Sequence, residues 1–241
     1  MGFAENHTRR QFLWAGTAAG GLLAATVVRA DEPADKQGAK TAEDVSPAED
    51  LMREHGVLRR LLLVYEEVDR RIADDKAVRP ELLSHAAQLI RHFIEDYHEH
   101  LEEDHVFPRL VKAGKLVDLT KVLQKQHDAG RLLTNHILQA AEAATLPTGK
   151  DAEPLRGDLH RFIRMYRPHA AREDTVLFPA LHGIMTAKEY DALGDRFEDR
   201  EQELFGKNGF ERIVGEVAEL EKALGINELS QFTPSPKPGE C

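Results

Sequence analysis

Two stretches constrain this chain more than any other feature: "HEHLEEDHVFPRL" at 98–110 and "HAAREDTVLFPAL" at 169–181. In each, a histidine is followed by glutamate four residues on and by Phe-Pro nine and ten residues on. Upstream of each lies a lone histidine with an arginine four residues later, His55 with Arg59 and His127 with Arg131. His55 and His98 are 43 residues apart, His127 and His169 42. The pattern is an internal duplication of a helix pair.

The duplication sits on helical periodicity. Over 48–74 the apolar residues Leu51, Val57, Leu58, Leu61, Leu62, Tyr65 and Val68 recur at the spacing of one helix face. Ser46-Pro47 suits its start. A second helix is expected over 79–112, with Pro80 in its first turn and Gly114 beyond its end. A third is expected over 117–145, stopping before Pro147, and a fourth over 151–183. Four long helices with short connections favour an all-α, antiparallel four-helix bundle. Residues 186–205 and 208–224 add C-terminal helices, and 226–241 form a tail. No run with strand periodicity appears. The domain plan is therefore a linker at 31–47, the bundle at 48–183 and a helical extension at 184–225.

Spacing turns this architecture into chemistry. Residues i and i+4 share a helix face, about 6 Å apart along the axis. His98 with Glu102, and His169 with Glu173, therefore converge pairwise, and His55 and His127 join them from the other two helices. Four imidazoles and two carboxylates buried together would be costly without a cation. The sole cysteine, Cys241, rules out a thiolate zinc site and an internal disulfide. Nitrogen and oxygen donors suit iron or manganese, with zinc also possible. The net charge of −10 argues against nucleic acid as a partner.

The ordered set His, His-x-x-x-Glu, His, His-x-x-x-Glu, with Phe-Pro closing the second and fourth helices, resembles the hemerythrin-like, or HHE cation-binding, family over roughly 48–183. The resemblance implies a non-haem di-iron centre held by His55, His98, Glu102, His127, His169 and Glu173, with the two glutamates bridging. It also implies an open position for oxygen, nitric oxide or peroxide. The oxygen carriers have a fifth histidine in an HxxxH on the third helix. Here the positions four from His127 are Leu123 and Arg131, so the site resembles the four-histidine members. Glu99, His105 and Asp174 stand where an additional group could join, and Asp174 competes with Glu173 for the bridging position.

The upstream segments "HFIEDY" and "RFIRMY" match at an offset of 69 and the ligand segments at 71, which leaves His100 with Asp104 as a rival pair. The Phe-Pro register favours His98 with Glu102. His100 and His136 are expected at the surface or rim, His92 and His160 as ordinary residues with no partner pattern, and Tyr65, Tyr97 and Tyr166 as packing residues. The charged stretch 194–203 is expected to be a solvated face. Pro168 is expected to kink or widen the fourth helix.

Residues 1–30 have the order of an export signal: basic start, apolar small-residue middle, small residue before an acidic stretch. Arg9-Arg10 before Phe12-Leu13 resembles a twin-arginine signal. Cleavage near Ala30 would put the mature protein in the periplasm or outside the cytoplasm, with membrane contact only during export. Three functions compete: a di-iron protein that binds oxygen or nitric oxide or handles or senses iron; a redox enzyme on the same centre, peroxidase, catalase-like or nitric-oxide-detoxifying, with a redox partner of unknown identity; and a metal-free interaction module. Six ligand-type residues at core positions weigh against the third.

Overall fold

The computed structural model describes residues 45–234, and within them the chain is all-α. The export signal, most of the linker and Cys241 lie outside the described residues. Six helices follow in order. α1 is Pro47–Ala73. α2 spans 80–112 as joined segments: α-helical Pro80–Leu89, π-helical Ile90–His98, α-helical Glu99–Leu101, π-helical Glu102–Val106 and α-helical Phe107–Lys112. α3 is Val117–Ala141. α4 spans 153–182, with α-helical Glu153–Arg172, π-helical Glu173–Leu177 and α-helical Phe178–His182. α5 is Ala187–Phe205 and α6 is Gly209–Leu224.

α1 starts where its sequence says it should. Ser46 Oγ accepts from Glu49 N at 3.2 Å, Pro47 needs no donor in the first turn, and Arg70 and Arg71 sit at the negative end of the dipole. Its inner face, Leu51, Leu58, Leu61, Tyr65 and Val68, is shut off from solvent. α1 packs against α2 and α4, and α3 against α2 and α4, which closes a four-helix bundle.

α5 and α6 pack on each other and on α1, and α6 also on α2. Phe93 and Tyr97 of α2 meet Phe205 at 5.6 and 5.3 Å between ring centroids, and Arg60 grips Glu221 through two hydrogen bonds of 2.8 and 2.6 Å. The charged stretch 194–203 is amphipathic rather than wholly solvated: Phe197 is fully buried and Glu201 nearly so. One phenylalanine is too little for a strong sequence signal, but the buried Gly194, Phe197 and Glu201 fall on one helix face.

α3 stops at Ala141, short of the expected 145. Residues 142–145 are exposed, and the chain turns inward to bury Leu146, so no apolar face holds a longer helix. Pro168 does not widen its helix: α-helical structure continues to Arg172. Pro168 and Arg164, whose carbonyl loses its helical donor, both face solvent, where water takes that bond. The widening falls instead just before Phe-Pro. Phe107 N donates to Glu102 O and Phe178 N to Glu173 O, each across a π turn. A proline ring collides with the carbonyl four residues back, and the wider turn relieves that collision. Both of these turns begin on a glutamate of the repeat, whereas the longer π-helical stretch Ile90–His98 of α2 is not followed by Phe-Pro. Among the described residues no helix is long and apolar enough to cross a membrane.

Candidate metal centre

The six repeat residues meet in the middle of the bundle, each from a different turn. His55 comes from α1, His98 and Glu102 from α2, His127 from α3, and His169 and Glu173 from α4. All are buried, none more than 4 % exposed. The four imidazoles turn their Nε2 atoms to a common centre. His55 Nε2 lies 3.1 Å from His98 Nε2, and His127 Nε2 3.2 Å from His169 Nε2. Each imidazole pair spans two neighbouring helices and forms one half of the site.

The glutamates lie between the halves. Glu173 Oε2 is 3.3 Å from His55 Nε2 and 3.1 Å from His169 Nε2. Glu102 Oε2 is 3.4 Å from His127 Nε2 and 3.8 Å from His98 Nε2. Each carboxylate thus touches one imidazole of each half. Donor atoms of Glu102, His127, His169 and Glu173 all lie within 4.8 Å of one another, as do those of His55, His98 and Glu102. All four carboxylate oxygens are buried without a hydrogen-bond donor. Buried oxygens in that state cost about 1–3 kcal/mol each unless something positive compensates. The donor set fits a pair of cations: two imidazoles per half, and two carboxylates that reach both halves.

The outer nitrogens are anchored. His55 Nδ1 meets Asp174 Oδ1 at 2.6 Å, His98 Nδ1 meets Glu54 Oε2 at 2.8 Å, and His127 Nδ1 meets Glu103 Oε1 at 2.9 Å. His169 Nδ1 meets Gln126 Oε1, also at 2.9 Å. An acceptor on Nδ1 keeps the proton there and leaves the Nε2 lone pair free to face a cation. Arg59 pairs with Asp174, and Arg131 with Glu103 at 2.6 Å. The arginine four residues after each lone histidine therefore holds the acid that orients that histidine. Phe178 stacks on His55 and Phe107 on His127, at 5.6 and 5.5 Å between centroids. That contact explains the phenylalanine of each Phe-Pro.

Charge is distributed unevenly without a cation. Burial opposes a charged His55, but its hydrogen bond to Asp174 and the Glu173 carboxylate 3.3 Å from its Nε2 prevail and push it up to about 9. Burial, with the positive His55 beside it, drives His98 well below the usual histidine range. Burial brings His127 down to about 4. Burial raises the Glu102 carboxyl strongly, reinforced by the charge of Glu173. Burial opposes ionisation of Glu173 too, yet the imidazoles of His169 and His55 hold it below the normal carboxylate range.

Of the other candidates, Asp174 orients His55 and does not enter the central cluster. Glu99 is buried beside the site, accepting from Tyr166 Oη at 2.6 Å and pairing with Arg131 at 2.9 Å. His105 turns to Phe197 of α5, 6.0 Å away. His100 lines an outer cleft with Asp104, away from the centre. His92 and His136 are exposed, and His160 pairs with Asp69 at 2.8 Å.

Two tyrosines expected only to pack do more. Tyr97 Oη donates to Glu54 at 3.1 Å, and Tyr166 to Glu99. Tyr65 packs edge-on against Phe162, as expected. Sequence reasoning missed Glu54, Glu103 and Gln126 as partners. A signal existed: each directly precedes or follows a repeat residue, in "EH" and "QH" at 54–55 and 126–127, and in "EE" and "ED" at 102–103 and 173–174.

Comparison with known proteins agrees with this geometry. Uncharacterized proteins of Mycobacterium bovis and Mycobacterium tuberculosis are 48 % identical to this chain, over 94 % of its length and 91 % of theirs. No solved structure matches it. The model of the hemerythrin HHE cation binding domain matches residues 46–181, the stretch that carries all six clustered donors, and the chain belongs to that family.

Proposed function

We propose that this chain carries two iron ions and binds a small diatomic ligand, oxygen or nitric oxide, or uses the same centre to handle or sense iron. The supporting observation is the central one: two buried, donorless carboxylates ringed by four imidazoles whose outer nitrogens are already satisfied. Imidazole and carboxylate donors suit iron, manganese and zinc, and membership of the hemerythrin family favours iron over the other two. A bound di-iron pair would supply redox-active cations with room for a further ligand. The chain's own contribution is to hold the imidazoles oriented, to keep the carboxylates ionised between two charges, and to exclude water.

A second reading, a redox enzyme acting on peroxide or nitric oxide, draws support from Tyr166. Its ring lies 5.3 Å from that of His169 and its hydroxyl donates to a buried carboxylate. A phenol so placed is suited to supplying an electron while its proton passes to Glu99. Export by a twin-arginine signal to the periplasm remains part of the proposal, on the strength of Arg9, Arg10 and the apolar run that follows.

The test is spectroscopic. The chain is loaded with ferrous iron without air, and its visible spectrum is recorded before and after oxygen or nitric oxide. New charge-transfer bands that a nitrogen purge reverses support ligand binding. Bands that decay to a stable oxidised form, with continued consumption of peroxide or nitric oxide, support the enzyme. No bands with either gas would sink both.

A further inference from the structure

The two halves of the site are near copies, and one of the four outer partners breaks the copy. The residue before each lone histidine reaches across to the imidazole of the following helix. Glu54 does so for His98 and Gln126 for His169, at 2.8 and 2.9 Å. The residue after each glutamate serves the lone histidine: Asp174 for His55 and Glu103 for His127. The His55–His98 half therefore rests on two carboxylates, and the His127–His169 half on one carboxylate and one neutral amide.

The difference has a direct chemical consequence. A carboxylate accepting from Nδ1 draws the proton toward itself and makes Nε2 a stronger donor to a cation. It also adds a negative charge near that cation, in surroundings of low dielectric constant. Glu54 is fully buried and lies within 4.8 Å of Asp50 and Glu201, so the negative charge of this acidic group is poorly screened. An amide oxygen gives the orientation without the charge. Glu99 lies within 4.8 Å of His127 and Glu103, but it supplies no net charge to this half, because burial favours its protonated form and the positive Arg131 pairs with it at 2.9 Å.

We infer that the two cation positions are unequal, that the His127–His169 half is the weaker and more exchangeable one, and that Gln126 sets the difference. The inference rests on the two-cation reading above. The weaker half is where a cation would enter last and leave first.

The test uses the full chain loaded anaerobically with ferrous iron, then challenged with a colour-forming iron chelator in excess. The readout is the rate of iron release, which needs no turnover. Two phases of equal amplitude, with rates about 10–100-fold apart, are expected from the usual effect of an outer partner on metal affinity. Gln126→Glu is nearly isosteric and should slow the fast phase toward the slow one. Glu54→Gln should speed the slow phase toward the fast one. Release of two irons in a single phase, or two phases untouched by both substitutions, would overturn the inference and leave the two-cation reading standing. A chain that takes up no iron would overturn both.

Discussion

Glu102 and Glu173 bring carboxylate oxygens within 4.8 Å of each other at the centre of the bundle, and no hydrogen-bond donor serves either group. Two carboxyl groups so placed cannot both ionise cheaply unless a cation lies between them, and without one burial and the charge of Glu173 favour a protonated Glu102. The site is therefore a source of strain in the metal-free chain and of stability in the loaded one.

Removing one of those charges should separate the two effects. Glu102→Gln is expected to raise the stability of the metal-free chain by about 1–2 kcal/mol, because it removes a buried carboxyl that must take up a proton to stay buried. The same change should weaken metal stabilisation, which for the unaltered chain reaches about 4 kcal/mol when free metal is a thousandfold above its Kd. Thermal melts with and without ferrous iron check both. A variant less stable than the unaltered chain in the absence of metal would contradict this view of Glu102.

Proton release gives an independent measure. Without metal, His55 is held up to about 9 and carries an extra proton near neutral pH, and burial favours the protonated form of the Glu102 carboxyl. A cation requires both groups to be free of these protons. Iron uptake at pH 7.5 should release about one proton per chain from His55, with any proton held by Glu102 adding to it, measurable with a pH indicator in weak buffer, and affinity should rise from pH 6 to 9. The sign for stability follows from the same residue. A histidine raised from 6.5 to about 9 contributes stability that is complete below 6.5 and is lost as pH rises through 9. The metal-free chain should thus weaken over that window, while the loaded chain should not show this His55 contribution.

The two arginines of the repeat should not be equivalent. Arg131 pairs with both Glu103 and the buried Glu99, and its side chain is 22 % exposed; Arg59 pairs with Asp174 and is 48 % exposed. Arg131→Ala should cost about 2 kcal/mol, somewhat less than breaking a fully buried pair. Arg59→Ala should cost under about 1 kcal/mol. Urea titrations of the two variants compare them directly, and equal losses would argue against the role of Glu99.

Gly130 tests the contact between α3 and α4. A Cβ there would overlap the Tyr166 hydroxyl and lie 2.8 Å from Cζ of that ring. Gly130→Ala should therefore cost about 1–3 kcal/mol by overpacking. Tyr166→Phe removes the overlapping oxygen, so the double variant should be more stable than additivity predicts. Strict additivity in a denaturation cycle would show that Tyr166 moves away freely.

Much of this was legible in the chain. The periods of Leu51 to Val68, the prolines at helix starts and the repeated His-x-x-x-Glu stem from local geometry, which sequence reports well. The outer partners were harder to see. Glu54 belongs by sequence to α1 but serves His98 on α2, and Gln126 of α3 serves His169 on α4. Such a pairing depends on how neighbouring helices are rotated, which no single helix encodes. The π turns were hidden for a related reason: Phe-Pro marks where a helix must adjust, but not whether it kinks, stops or widens. Tyr97 and Tyr166 look like packing residues because their rings do pack, and only the hydroxyl partner shows a second role.

The most direct measurement is the iron retained per chain after anaerobic loading and desalting, for the unaltered protein and for the double variant Glu102→Ala with Glu173→Ala. The account predicts close to two irons per chain in the first and close to none in the second, with both chains helical by circular dichroism. Two irons retained by the double variant would place the metal elsewhere, and none in the unaltered chain would leave the six clustered donors without a role in holding iron.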